Sequence, residues 1–241
     1  MGGNILLRIK HLNTDEEIRQ TLRQVLDELE CNIVENLSAK QQKILTYWLN
    51  DWNENFLSKE QEFNPKQLIK YKKGNIVKVH LGYNISSEQG GLHYGLVMDN
   101  NNNKNSNVIT IIPIRSLEDY ENEETINERF EVYLGKALLT DKIDYTKKEL
   151  QKIDRDLECT DTASFQFSNL KKRKDFLLKE LKKLNKGSIA IVSQIRTISK
   201  MRIYEPINSY QSLSKFVLDD YNMKKVEDLF LNLYIKSVDK S

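Results

Sequence analysis

Residues 73 to 98 read KGNIVKVHLGYNISSEQGGLHYGLVM, and within them the spacing of apolar residues changes from helical to strand-like. Ile76, Val77, Val79 and Leu81 form an extended run after Gly74, and Leu96, Val97 and Met98 form another before the Asn-rich turn Asn100 to Asn103. Farther along, Val108 to Ile114, rich in β-branched side chains, predicts a third strand, and Phe130 to Leu134 a fourth. Short strands with turn residues between them predict a small barrel or a strongly bent sheet. Ser188 to Ile203 resumes strand character through Ile189, Ile191, Ile195 and Ile198, so the sheet is expected to be interrupted and then completed.

The segments around this core have a helical period. Ile18, Leu22, Val25, Leu26, Leu29 and Ile33 recur at three- and four-residue spacing behind Thr14, an N-cap residue followed by the acids Asp15, Glu16 and Glu17. Ser38 with Gln41 forms a capping-box pattern, opening a second helix that carries Ile44, Leu45, Trp48, Leu49, Trp52 and Phe56. Its tryptophans are expected to anchor packing. Phe63-Asn64-Pro65 closes this region. Leu150, Ile153 and Leu157 make one stripe, and Leu170, Leu177, Leu181 and Leu184 another, which predicts an antiparallel helical hairpin ending at Gly187. A last helix is expected over Met223 to Ile235, with Val226, Leu229, Phe230 and Leu233 on one face. The expected fold is α+β: an N-terminal helical region over 1–65, the first part of a barrel over 66–137, an inserted hairpin over 138–186, and barrel completion with a C-terminal helix over 187–241.

Composition narrows the class. The 241 residues are 30% charged and 39% hydrophobic, with 9 Gly and 3 Pro, which excludes collagen-like and low-complexity chains. The longest apolar run, Val108 to Ile114, falls far short of the roughly 20 residues of a membrane helix, and no basic-then-apolar leader opens the chain, so a soluble cytoplasmic protein is expected. Cys31 and Cys159 lie in unrelated contexts and indicate neither a disulfide framework nor a zinc site. The net charge of +2 conceals an asymmetry: residues 1 to 62 hold 7 Lys/Arg against 11 Asp/Glu, whereas 138 to 185 hold 12 against 9 and 186 to 241 hold 9 against 6. An acidic front and a basic back are suited to a polyanionic partner at one end, although Lys-rich helices also serve simply as solvated faces.

Two stretches carry a resemblance. Lys73-Gly74-Asn75-Ile76-Val77, Leu81-Gly82, Ser87-Glu88-Gln89-Gly90-Gly91 and Leu96-Val97-Met98 resemble the opening of the PemK/MazF family of bacterial toxins. Gln194 to Ile203, reading QIRTISKMRI, is similar to a block near that family's end. Together the match spans residues 71 to 137 and 186 to about 235. The resemblance implies an SH3-like barrel with a C-terminal helix, usually a symmetric homodimer, that cuts single-stranded RNA without metal or cofactor and is held inactive by a cognate antitoxin.

Such cleavage uses the ribose 2′-OH as nucleophile and leaves a 2′,3′-cyclic phosphate. It requires a base, an acid and donors for the developing charge on phosphate. At the two positions the family uses, this chain departs from the pattern: His93 stands in the usual Arg position after Gly90-Gly91, with Tyr94 in place of Pro, and Arg115 with Ser116 stands where a Thr is typical. Imidazole moves protons near neutral pH and guanidinium binds phosphate oxygens in pairs, so His93 is the expected general acid or base and Arg115 the expected clamp, with Ser116 beside it. Glu88, Gln89, Gly90, Gly91 and Gln194 are expected to contact RNA, and the run Lys171-Lys172-Arg173-Lys174 to add salt-dependent affinity outside the cleft. His11 and His80 show no partner pattern and are read as structural or exposed.

Two other readings stand beside the nuclease. A barrel with both family positions substituted also fits a non-catalytic module that binds a protein, in the manner of gyrase poisons of the CcdB type or of a scaffold. The acidic N-terminal region either masks the groove or packs through its apolar stripes.

Overall fold

The computed structural model describes residues 12–136, 138 and 140–236. His11 lies outside them. The chain divides into two compact units, the first ending at Asn55 and the second beginning at Phe56.

In the first unit, α1 (Asp15–Asn36) and α2 (Ala39–Asp51) start where their caps dictate. Thr14 accepts from the Glu17 amide while the Glu17 carboxylate accepts from the Thr14 amide, and Ser38 and Gln41 repeat the arrangement. Neither helix contains a buried residue. Trp48 is half-buried and Trp52 is exposed, so the expected tryptophan anchor is not part of a buried core.

The second unit is built on a seven-stranded antiparallel sheet: β1 (Ile76–His80), β2 (Leu92–Val97), β3 (Val108–Ser116), β4 (Glu131–Gly135), β5 (Ser188–Ile191), β6 (Arg196–Ser199) and β7 (Ile203–Glu205). Strand order is β4-β5-β3-β2-β1-β7. The nine-residue β3 is long enough to pair twice: Ile114 to Ser116 face β5, and Val108 to Ile111 face β6. A tight helical turn, Val192–Gln194, moves the chain from one partner position to the next. Among the described residues no ladder joins β4 to β7, so the sheet is open, and of the two forms expected from the strands a closed barrel is not the one present.

Alternation along the strands gives the sheet two apolar faces. Val77, Val79, Val97, Ile109, Ile111, Ile198 and Ile203 form one core with Tyr71 and Leu81. Ile76, Leu96, Ile112, Ile114, Val132, Leu134 and Ala190 face the other way, onto helices. There α5 (Asp220–Tyr234) contributes Val226, fully buried, a burial worth about 1.5–3 kcal/mol. A strand buried on both faces needs continuous apolar sequence, and the run Ile111 to Ile114 of β3, buried at every position, supplies it.

The predicted hairpin is present as α3 (Thr140–Glu158) and α4 (Phe165–Leu184), inserted between β4 and β5. Its two stripes meet as expected: Leu150, Ile153 and Leu177 are buried together, with Leu157, Leu170 and Leu181 against them. Two ion pairs fix it to the sheet. Glu180 pairs with Lys78 of β1, and Lys142 pairs with Glu205 of β7 at 2.7 Å. Among the described residues no helix is long and apolar enough to cross a membrane. Both cysteines are free and exposed.

Candidate functional site

The site is organised by the loop between β1 and β2. Its base is closed by two short backbone bonds, Leu81 N–H to Gly91 O and Gly91 N–H to Gly82 O, each 2.7 Å. Gly91 has φ +81°, a conformation that side chains disfavour, and a Cβ on Gly90 would lie 2.9 Å from the Gly82 carbonyl oxygen. The Gly-Gly pair is thus required by the turn itself. Glu88 sits at the exposed tip of this loop.

Behind the turn, β2 begins at Leu92, four residues earlier than its apolar run announces, and places His93 in a strand rather than in the loop. His93 is half-buried. Its Nδ1 lies 3.3 Å from the Ile114 carbonyl oxygen and its Nε2 lies 2.7 Å from the Gln89 side-chain nitrogen. The same Gln89 nitrogen lies 3.2 Å from Nδ1, so it sits against the ring rather than in line with one nitrogen, while the contact to a carbonyl oxygen calls for Nδ1–H and leaves Nε2 as the unprotonated nitrogen of a neutral imidazole. Burial lowers the His93 pKa below the ordinary value of 6.5; the hydrogen bond to Ile114 O opposes the shift, and the charge of Lys183 reinforces it.

Gln194 and Arg196, about a hundred residues away in sequence, hold this loop in place. The Gln89 amide N–H donates to Gln194 Oε1 at 2.6 Å, and Gln194 Nε2 donates to Ser87 O at 3.0 Å. Arg196 donates to both Gln194 Oε1 and Gln89 O. Gln194, expected to touch RNA, therefore has its amide engaged in positioning the loop that carries Gln89. His80 is structural: its Nδ1 accepts from Gly82 N–H at 3.1 Å, and its ring lies against Phe56 and Tyr204.

Arg115 does not stand ready as a phosphate clamp. Its guanidinium donates to both oxygens of Glu131 at 2.9 and 2.8 Å and both oxygens of Glu121 at 2.6 and 2.9 Å, and also to Ser116 O at 3.4 Å. All five N–H donors are occupied. The Glu131 and Glu121 hydrogen bonds raise the Arg115 pKa still further, and the same pairing holds the Glu121 carboxyl below its usual range. Arg115, the expected clamp, thus stands on the cavity wall with its guanidinium bound to Glu131 and Glu121.

The cavity itself, about 620 Å³, lies between the β1-β2-β3 side of the sheet and α4. Gln89, His93, Tyr94, Ser116 and Ser188 line one side, and Phe176, Lys179, Glu180, Lys182 and Lys183 the other. Tyr94 Oη donates to Glu180 Oε1 at 3.1 Å. Burial, then the adjacent Glu180 charge, drives the Tyr94 pKa far up, so the phenol stays protonated. Burial alone would raise Glu180, but the hydrogen bond from Lys78 brings its pKa below the ordinary carboxylate value. Ser116 Oγ has no hydrogen-bond partner among the described side chains and is available to a ligand.

The run Lys171 to Lys174 lies outside this cavity. Arg173 pairs with Glu149 at 3.1 Å and Lys174 with Asp154 at 2.6 Å, both across the hairpin, while Lys171 and Lys172 are exposed. The lysines that do reach the cavity come two to three turns later on α4. Their signal in the sequence is a spacing, Lys179, Lys182 and Lys183 on one face of a helix, with Lys186 just past its end. Among the described residues no three His, Cys, Asp or Glu side chains converge as metal ligands would. The sequence matches no protein-family model and no curated protein at a significant level.

Proposed function

We propose that the chain is a toxin-type endoribonuclease on an SH3-like scaffold, cutting single-stranded RNA without a metal ion through a 2′,3′-cyclic phosphate. The observation that carries the reading is convergence. The two PemK/MazF-like blocks are joined at Gln89, which bonds Gln194 and Arg196 through its backbone and His93 through its side chain. Support for the SH3-like scaffold comes from β6 and β7, linked by the short helical turn Lys200–Arg202 and pairing with β3 and β1 around one apolar core.

His93 is the base. Depressed by burial, its imidazole is neutral at pH 7, with Nδ1–H toward the Ile114 carbonyl and Nε2 unprotonated. A ribose 2′-OH donating to Nε2 loses its proton to it as O2′ bonds to phosphorus. The P–O5′ bond breaks, and the departing oxygen takes a proton from a donor in the cavity or from water. Ser116 Oγ donates to a phosphate oxygen during this step. In this account a homodimer, a cognate antitoxin and a cytoplasmic location follow from the family likeness. Purified protein bearing His93→Gln, which keeps a polar side chain but no base, is expected to lose RNA cleavage; retained cleavage ends the assignment.

The complete engagement of Arg115 favours one other reading, a non-catalytic module that binds a protein through the same scaffold. Intact RNA after long incubation, together with binding to an antitoxin or gyrase, selects it.

A further inference from the structure

The cavity wall formed by α4 is cationic in a way the resembling blocks do not explain, because the helix belongs to the insertion. Lys179, Lys182 and Lys183 lie on one face of α4, Lys186 follows two residues past its end, and all four line the cavity. Lys186 is paired with Asp119 at 2.8 Å, and the one lining carboxylate deep in the wall, Glu180, is taken by Lys78. Lys179, Lys182 and Lys183 have no ion-pair partner among the described residues, and Glu118 on the facing side is the one lining carboxylate outside an ion pair. The Lys78–Glu180 pair sits in the same turn and holds this face toward the sheet.

We propose that the lysine face of the inserted hairpin, Lys179, Lys182 and Lys183, is the phosphate-binding wall of the site and holds the backbone of single-stranded RNA whose scissile phosphate lies at His93. The inference rests on the nuclease reading and deepens it. Four residues of helix separate Lys179 from Lys183, a span of about 6 Å, so the three ammonium groups form a strip along which the backbone of one strand can lie. Phe176, 55% exposed on the same wall, offers a ring on which a base stacks. The wall also replaces what Arg115 does not provide: cationic donors facing the phosphate, free of competing carboxylate bonds.

The test measures binding of a 2′-O-methyl RNA oligonucleotide, which lacks the nucleophile and stays intact, as a function of salt. Relative to the parent, Lys179→Gln/Lys182→Gln/Lys183→Gln is expected to lower the log–log salt slope by about 2, since each phosphate neutralised on a single strand contributes about 0.7. Between about 50 and 200 mM salt, the parent's affinity should then fall about twenty-fold further than the variant's. The triple Lys→Arg variant should keep the parental slope, which separates charge from folding. An unchanged slope in the Gln variant overturns the wall while leaving nuclease activity to stand. A reduced slope without cyclic-phosphate product upholds the wall and overturns the nuclease. A parent that does not bind the oligonucleotide overturns both.

Discussion

Replacing Arg115 by Met removes the guanidinium that holds two carboxylates on the cavity wall, and its cost can be worked from the geometry. Arg115, Glu121 and Glu131 have side chains 18%, 14% and 14% exposed, so the cluster lies nearer the buried than the surface limit. Breaking a buried pair costs about 3–5 kcal/mol, and an exposed pair about 0–1. Two carboxylates are deprived of all four of their bonds to the guanidinium, but some exposure lets water reach them, which puts the loss at about 3 kcal/mol, toward the lower end of the buried range. For a unit of this size that is a fall in melting temperature of about 6–12 °C. Urea unfolding at pH 7 is the assay, run with Arg115→Met and with Arg115→Met/Glu121→Gln/Glu131→Gln. The triple variant should recover most of the loss, because it leaves no uncompensated charge. The pH dependence has a definite sign. Glu121 has a depressed pKa in the fold, so its contribution is present above the ordinary carboxylate range and is lost as pH falls through the folded value. The gap between parent and Arg115→Met should therefore narrow as pH falls below about 4. A loss under about 1 kcal/mol at pH 7, or no recovery in the triple variant, refutes the framework role.

Other outcomes follow from the same geometry. Because burial depresses the His93 pKa, kcat/KM for RNA should rise with pH through a value below 6.5 and then level off; a rise centred well above neutral pH means another group is the base. His93 also makes the fold less stable in acid, since below about pH 6.5 the unfolded chain binds a proton that the buried imidazole resists. Gly90→Ala should displace the β1–β2 loop, as its Cβ would meet the Gly82 carbonyl oxygen at 2.9 Å, and should cost more than Gly91→Ala, whose Cβ meets nothing and bears only the φ +81° strain of about 1–2 kcal/mol. Equal losses on thermal unfolding would discount the close approach. Leu177→Ala should destabilise the hairpin core by about 2–5 kcal/mol, seen as faster amide exchange in α3 and α4; uniform exchange across the second unit would mean that the hairpin does not open separately.

Features governed by local rules are legible in the sequence. Thr14 and Ser38 cap their helices because a hydroxyl at that position satisfies an orphan amide whatever the tertiary context. Leu150, Ile153, Leu177 and Leu181 recur at helical spacing and pack as that spacing demands. The start of β2 is not legible, since Leu92, His93 and Tyr94 alternate too weakly to mark a strand, and their pairing with His80, Val79 and Lys78 depends on the loop between them closing. The open sheet is hidden for a related reason: strand lengths do not say which edges meet. Among the site residues, His93 lines the cavity, but Arg115 and Gln194 are both taken by partners distant in sequence, Glu131 and Gln89. The α4 lysines are obscured for the opposite reason. The basic residues at 171 to 174 are consecutive and stand out, whereas only helical geometry brings 179, 182 and 183 to one face.

Chemistry at His93 is written in the ends of the RNA it cuts. Single-stranded RNA incubated with the purified full chain in excess EDTA should yield fragments with 2′,3′-cyclic phosphate and 5′-OH ends, and an oligonucleotide with 2′-deoxyribose at the scissile position should survive intact. RNA that remains whole, or fragments bearing 3′-OH and 5′-phosphate ends, would contradict the account.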